Sequence, residues 1–156
     1  MSIATRYERV AQDVARVCEQ AGRDPRQVRL VAVSKTVEVP AIAGAIGAGA
    51  MDLGENRPDR IMATSAAYPT VRWHFIGNIQ SRRIRAIVPC ASLIHSVFVP
   101  DHLHRIETAA QAANKVQDIL LEVNVSGEES KGGVTVPDAP ELLAQALEFP
   151  HIRVCG

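Results

Sequence analysis

Apolar side chains at Ile3, Tyr7, Val10, Val14 and Val17 recur at steps of three and four residues, which predicts an amphipathic helix over residues 2–21. Ser2 offers a capping oxygen at its start and Gly22 a stop at its end. After Asp24-Pro25 the pattern changes. Val28 to Val33 is a short run rich in β-branched residues, as expected of a largely buried strand, and it gives way abruptly to Ser34-Lys35-Thr36. Similar runs follow at Met51 to Leu53, Val71 to Ile76, Leu93 to Val97, Ile119 to Val125 and Ile152 to Cys155, with helix-like stretches between them. Their ends fall near Lys35, Gly54, Gly77, Ser96, Asn124 and Gly156, at intervals of 19 to 32 residues, which suits right-handed helical crossovers between parallel strands. Pro40, Pro100 and Pro137 stand where helices would begin.

The pattern predicts one α/β unit spanning residues 1–156, without repeat or linker. Two architectures fit such alternation: an open doubly wound sheet and a (β/α)8 barrel, the latter typically about 250 residues long. The leading helix and the series of short strands lean towards a barrel. Only six strands can be counted, so a barrel would be incomplete and its last strand would present an open edge inviting self-association.

Composition narrows the function classes. The chain is 47% hydrophobic and 22% charged, which excludes disorder, collagen and a long coiled coil. Its 17 basic residues balance 17 acidic ones, removing the cationic footprint that general nucleic-acid binding needs. Arg6, Glu8 and Arg9 interrupt the N-terminal segment, so neither a signal peptide nor a membrane span is predicted and a cytoplasmic location is the default. Cys18, Cys90 and Cys155 are widely spaced and form no CxxC pair, so reduced, buried thiols are expected.

In either architecture ligands bind at the carboxyl ends of the strands, and those ends are polar here: Ser34-Lys35-Thr36, Gly54-Glu55-Asn56-Arg57, His74 with Gly77-Asn78, His95-Ser96, and Asn124-Val125-Ser126. Lys35 stands out among only three lysines. A lysine directly after an apolar strand is partly desolvated, which favours the neutral amine that attacks carbonyl carbon. The bland alternative is a lysine that extends to water. Asp101, His102 and His104 do not predict a metal centre, because residues two apart on a helix diverge; a solvated helix start is expected there. Gly47-Ala48-Gly49 follows a helix and reads as its end, and residues 126–133 form a polar, glycine-containing loop.

Taken in order, these strand-end segments resemble the pyridoxal phosphate homeostasis proteins, which are related to the N-terminal domain of alanine racemase. The resemblance rests on Val31-Ala32-Val33-Ser34-Lys35-Thr36, Gly54-Glu55-Asn56-Arg57, Trp73-His74-Phe75-Ile76-Gly77-Asn78-Ile79-Gln80, Ile94-His95-Ser96-Val97 and the stretch from Leu121 to Gly133. It implies a TIM barrel of the alanine racemase type, present here as about six βα units. It implies pyridoxal 5′-phosphate held as a Schiff base on Lys35, with Asn56 and His74 close to the cofactor and Asn124 lining the site. It also implies a chain shortened at its C-terminus, lacking the βα units that hold the phosphate and face the pyridine nitrogen in complete relatives. Pro58-Asp59-Arg60, Arg82-Arg83 and Phe98 depart from the family's usual residues. The implied role is cofactor binding and homeostasis rather than turnover. An amino-acid racemase is the enzyme alternative, but Tyr7 and Tyr68 fall in helix-like segments instead of at strand ends, and a third alternative is a fragment that binds nothing alone.

Overall fold

The computed structural model describes residues 2–156. The first helix, α1 (Ile3–Gln20), starts at Ser2, whose hydroxyl accepts a hydrogen bond from the Thr5 amide, and the chain turns away at Gly22 with φ +66°. Its apolar stripe is only partly covered. Ile3 and Tyr7 pack against the core, while Val10 and Val17, on the same apolar stripe, are exposed.

The strands β1 (Ala32–Val33), β2 (Asp52–Glu55), β3 (Arg72–Phe75), β4 (Leu93–Val97) and β5 (Gln117–Leu121) pair in parallel and in chain order, and β8 (Ile152–Val154) completes a six-stranded sheet beside β5. Between them run α2 (Val39–Gly47), α3 (Pro58–Ala67), α4 (Ile84–Ile87), α5 (Pro100–Ala112) and α6 (Ala139–Ala146); β6 (Val123–Asn124) and β7 (Val134–Thr135) form a separate small ladder. Sequential order has no reversal point, which excludes the doubly wound arrangement. The sheet is open, with β1 and β8 each paired to a single neighbour, and is an incomplete barrel.

Register separates the two faces. Leu53 with Trp73, and Phe75 with Ile94 and Ile119, lie in rows on the helix-covered side, each no more than 1% exposed. Val33, Gly54, His74, Leu93, Asp118 and Arg153 form one continuous row on the other side. Helices on one face only are what right-handed crossovers between sequential strands produce.

Several boundaries differ from the sequence reading, three of them with a clear physical reason. The first strand is two residues long instead of six, because an edge strand has ladder partners on one side only and Val28 to Val31 find none. The run from Ile119 to Val125 splits at Glu122, whose carbonyl accepts from Val134 and starts the β6–β7 ladder. Pro137 lies ahead of α6, and Pro140 fills the early helical position in its place. Cys18 is buried as expected, whereas Cys90 is half-buried and Cys155, beyond the edge strand, is exposed. His102 is buried, not solvated: it faces Ser81 at 3.2 Å, while His104 packs edge-on against Phe149, so the two imidazoles diverge.

Candidate functional site at the carboxyl rim of the sheet

Lys35 follows β1 in a turn closed by a hydrogen bond from the Val37 amide to the Ser34 carbonyl. The residue is exposed, and its amine makes no hydrogen bond or ion pair among the described residues. The partial desolvation expected at this strand end is therefore absent, since a two-residue edge strand shields only one side. Asn56 lies just past the end of β2 on the same carboxyl rim.

Asn56 is exposed, and its backbone is fixed by close contact. A Cβ on Gly77 would sit 2.0 Å from the Asn56 carbonyl oxygen, so only glycine lets the β2 and β3 ends approach this closely. The Ser96 hydroxyl in turn donates to the Gly77 carbonyl. Ser96 is thus a structural anchor for the rim. On the floor beneath it, Gly54 contributes no side chain, and the neighbouring apolar atoms belong to Ile76, Val31 and Val33.

His74 lies one row below this rim and two strands from β1, in the row of Val33 and Gly54. It is 1% exposed, and both ring nitrogens are engaged. Nε2 is 3.0 Å from Asp52 Oδ1, and Nδ1 is 2.8 Å from His95 Nε2. A carboxylate only accepts, so His74 carries its proton on Nε2 and His95 donates from its own Nε2 to His74 Nδ1. Asp52 also receives a two-pronged contact from Arg72 at 2.8 and 2.6 Å, with Arg29 at 3.6 Å. Burial pushes the Asp52 carboxyl up, but the hydrogen bonds from Arg72 and His74 and the nearby arginine charges outweigh it and hold the group below its ordinary value. Burial, followed by the neighbouring His74, pushes His95 down.

Sequence reasoning singled out His74 but passed over Asp52 and the coupling to His95. The available signal was a carboxylate inside an otherwise buried strand, opposite Arg72 and His74 on one face of the next strand. Asn124 is placed differently from its neighbours in the candidate set. Its amide nitrogen donates to the Glu128 carbonyl at 2.9 Å and its oxygen accepts from the Gly127 amide at 3.0 Å, so the side chain staples the loop after β6. Tyr68 donates to the Val39 carbonyl, and Tyr7 lies along α1.

This arrangement predicts an acid-sensitive fold. A histidine whose folded pKa is depressed below 6.5 leaves the folded state binding fewer protons than the unfolded one as pH falls through that value. Stability is therefore full above about pH 6.5 and declines below it, with His95 and the buried His102 both contributing. Asp52 adds a further loss at lower pH, as acidification reaches its depressed folded value. Urea midpoints measured from pH 8 to pH 4 are expected to fall, and His95→Gln should flatten part of the decline between pH 7 and 5. Identical pH dependence in the variant would remove His95 from this account.

Comparison with known proteins agrees with the geometry. Residues 6–156 match the family model described as the alanine racemase N-terminal domain. The pyridoxal phosphate homeostasis protein of Aquifex aeolicus is 35% identical over 158 residues, covering 100% of this chain and 69% of that protein. Among solved structures, a protein from Bifidobacterium adolescentis described as unknown superposes with a TM-score of 0.90 at 32% identity, covering 99% of this chain and 67% of that one. The structure of PipY from Synechococcus elongatus with pyridoxal phosphate bound gives 0.78 at 27% identity, with coverages of 92% and 68%. The chain belongs to the alanine racemase N-terminal domain family and, within it, to the pyridoxal phosphate homeostasis proteins.

Proposed function

We propose that this chain binds pyridoxal 5′-phosphate through Lys35 and serves in intracellular homeostasis of that cofactor. The observation that carries the reading is the exposed Lys35 amine, without a partner among the described residues, at the carboxyl rim of a parallel sheet, in a chain whose relative PipY has been solved with pyridoxal phosphate bound. The residues fit the aldehyde end of the cofactor: an exposed amine without a competing partner among the described residues, the Asn56 carboxamide on the same rim, and an apolar floor of Val31, Val33 and Ile76 around Gly54. Bound, pyridoxal phosphate supplies an electrophilic aldehyde and an electron-withdrawing ring. Lys35 would hold the cofactor by its aldehyde carbon, the amine being the nucleophile such a group requires. Asn56 orients the bound group from the adjacent rim position. His74 acts from below, through the network that ends on His95, and Asn124 acts indirectly by holding the loop after β6.

The chain acts as a carrier on this reading, without turnover of its own. A cytoplasmic location follows from the same role, and no described helix is long and apolar enough to cross a membrane. The unpaired sides of β1 and β8 offer a route to self-association. Titration of the chain with pyridoxal phosphate tests the proposal: a protein-dependent absorbance change that saturates at one equivalent is expected. Absence of saturation would overturn it.

A further inference from the structure

The turn that carries Lys35 is held from behind by a polar unit of Ser34, Glu55 and Arg60. Glu55 closes β2 on the helix-covered side, and its side chain is 0% exposed. One of its oxygens, Oε1, accepts from the Ser34 hydroxyl at 2.7 Å and from Arg60 Nη2 at 3.2 Å. Arg60, in the first turns of α3, points the same nitrogen at the Ser34 carbonyl at 3.0 Å and the Val37 carbonyl at 2.6 Å. These two carbonyls bracket Lys35 and Thr36. The Ser34 amide completes the attachment by donating to the Gly54 carbonyl at 3.0 Å.

Three acceptors thus converge on one guanidinium nitrogen, and two of them are the main-chain oxygens at either end of the Lys35 turn. A lysine on an edge strand lacks a second neighbour to fix its backbone, so the direction of its side chain depends on this turn. A charged donor satisfies carbonyls more strongly than a neutral one, and a guanidinium offers several donors in a rigid plane. The other Glu55 oxygen and Arg60 Nε have no partner among the described residues, so the pair is retained despite incomplete satisfaction. Such a pair adds little to stability relative to an apolar replacement, whereas removing one partner alone strands a buried charge.

We propose that Arg60 and Glu55 are positioning residues that lock the Ser34–Val37 turn and so set the direction in which Lys35 presents its amine to the cofactor. The proposal rests on the reading of Lys35 as the attachment residue. Arg60→Met keeps the stem and removes the donors. Arg60→Met combined with Glu55→Gln leaves the site neutral, and it carries the same test if the single variant fails to fold. Two quantities are measured: amide hydrogen exchange of residues 34–37 in the free chain, and the extent of borohydride-trapped modification of Lys35 by pyridoxal phosphate relative to Lys131 in the same sample.

Exchange of the Val37 amide is expected to quicken at least about tenfold, with the Lys35-to-Lys131 ratio falling by a similar factor and the far-ultraviolet spectrum unchanged. Arg60→Lys, a point charge in place of the fork, should recover part of both. Unchanged exchange would show that Arg60 does not hold the turn, and faster exchange with an unchanged ratio would show that the turn does not govern Lys35; either result overturns the proposal. A wild-type chain whose Lys35 is not preferentially modified overturns the attachment reading itself, and accelerated exchange in the variant would then mark the clamp as purely structural.

Discussion

Lys35→Ala is expected to abolish the saturable absorbance change that pyridoxal phosphate produces with the wild-type chain. The residual affinity should fall by about a hundredfold, equivalent to about 2.7 kcal/mol. The loss is large because the remaining rim groups, the Asn56 carboxamide above all, can hydrogen-bond a ligand but cannot form a bond to its aldehyde carbon. The fold should be indifferent to the change: Lys35 is exposed and its amine has no partner among the described residues, so the thermal midpoint should stay within the range of an ordinary surface substitution. Equilibrium dialysis or spectrophotometric titration, paired with a thermal melt, separates the two effects. Undiminished affinity in the alanine variant would mean that another group anchors the cofactor.

Asp52→Ala is expected to give the largest loss of stability, about 3 kcal/mol, or about 6–12 °C in melting temperature for a chain of this length. Arg72 and Arg29 are more than half exposed and can return to water when the carboxylate is removed. His74 cannot, because its Nε2–H is buried and loses its only acceptor among the described residues. Asp52→Asn retains an oxygen able to accept that proton and should cost about 1 kcal/mol. If the two variants melt alike, the hydrogen bond to His74 is not what makes Asp52 important.

The order of βα units was legible because each strand is bounded by polar or glycine residues and buried on its helix side. Trp73, Phe75, Ile94 and Ile119 all sit in the expected runs. What was not legible depends on lateral neighbours. Val28 to Val31 read as strand, yet pairing requires a partner at matching height and β1 has one for two residues only. The same cause leaves Lys35 exposed where an apolar run ahead of it implied desolvation. Asp52 lies inside the run from Met51 to Leu53 as a lone acid, and its role emerges only from the pairing that sets it against Arg72 and His74 on the next strand.

The site divides in a similar way. Lys35 and Asn56 share a rim because each lies just past the carboxyl end of its strand, Lys35 two residues after Val33 and Asn56 next to Glu55, which spacing alone conveys. Asn124 follows a strand too, but its short side chain bonds to its own loop, a local preference of asparagine that competes with any outward role. The Ser34, Glu55 and Arg60 unit joins residues 21 and 5 positions apart through a helix-side contact that no linear motif spells out.

The most direct test of the central claim is peptide mapping of the wild-type chain after incubation with stoichiometric pyridoxal phosphate and borohydride reduction. Lys115 is the informative competitor: burial pushes its amine down, which favours the reactive neutral form, but its nitrogen is tied to the Val88 and Ala91 carbonyls at 3.0 and 2.7 Å. The account predicts that the peptide containing Lys35 carries the predominant reduced adduct. An adduct chiefly on Lys115, or one distributed evenly over Lys35, Lys115 and Lys131, would contradict it.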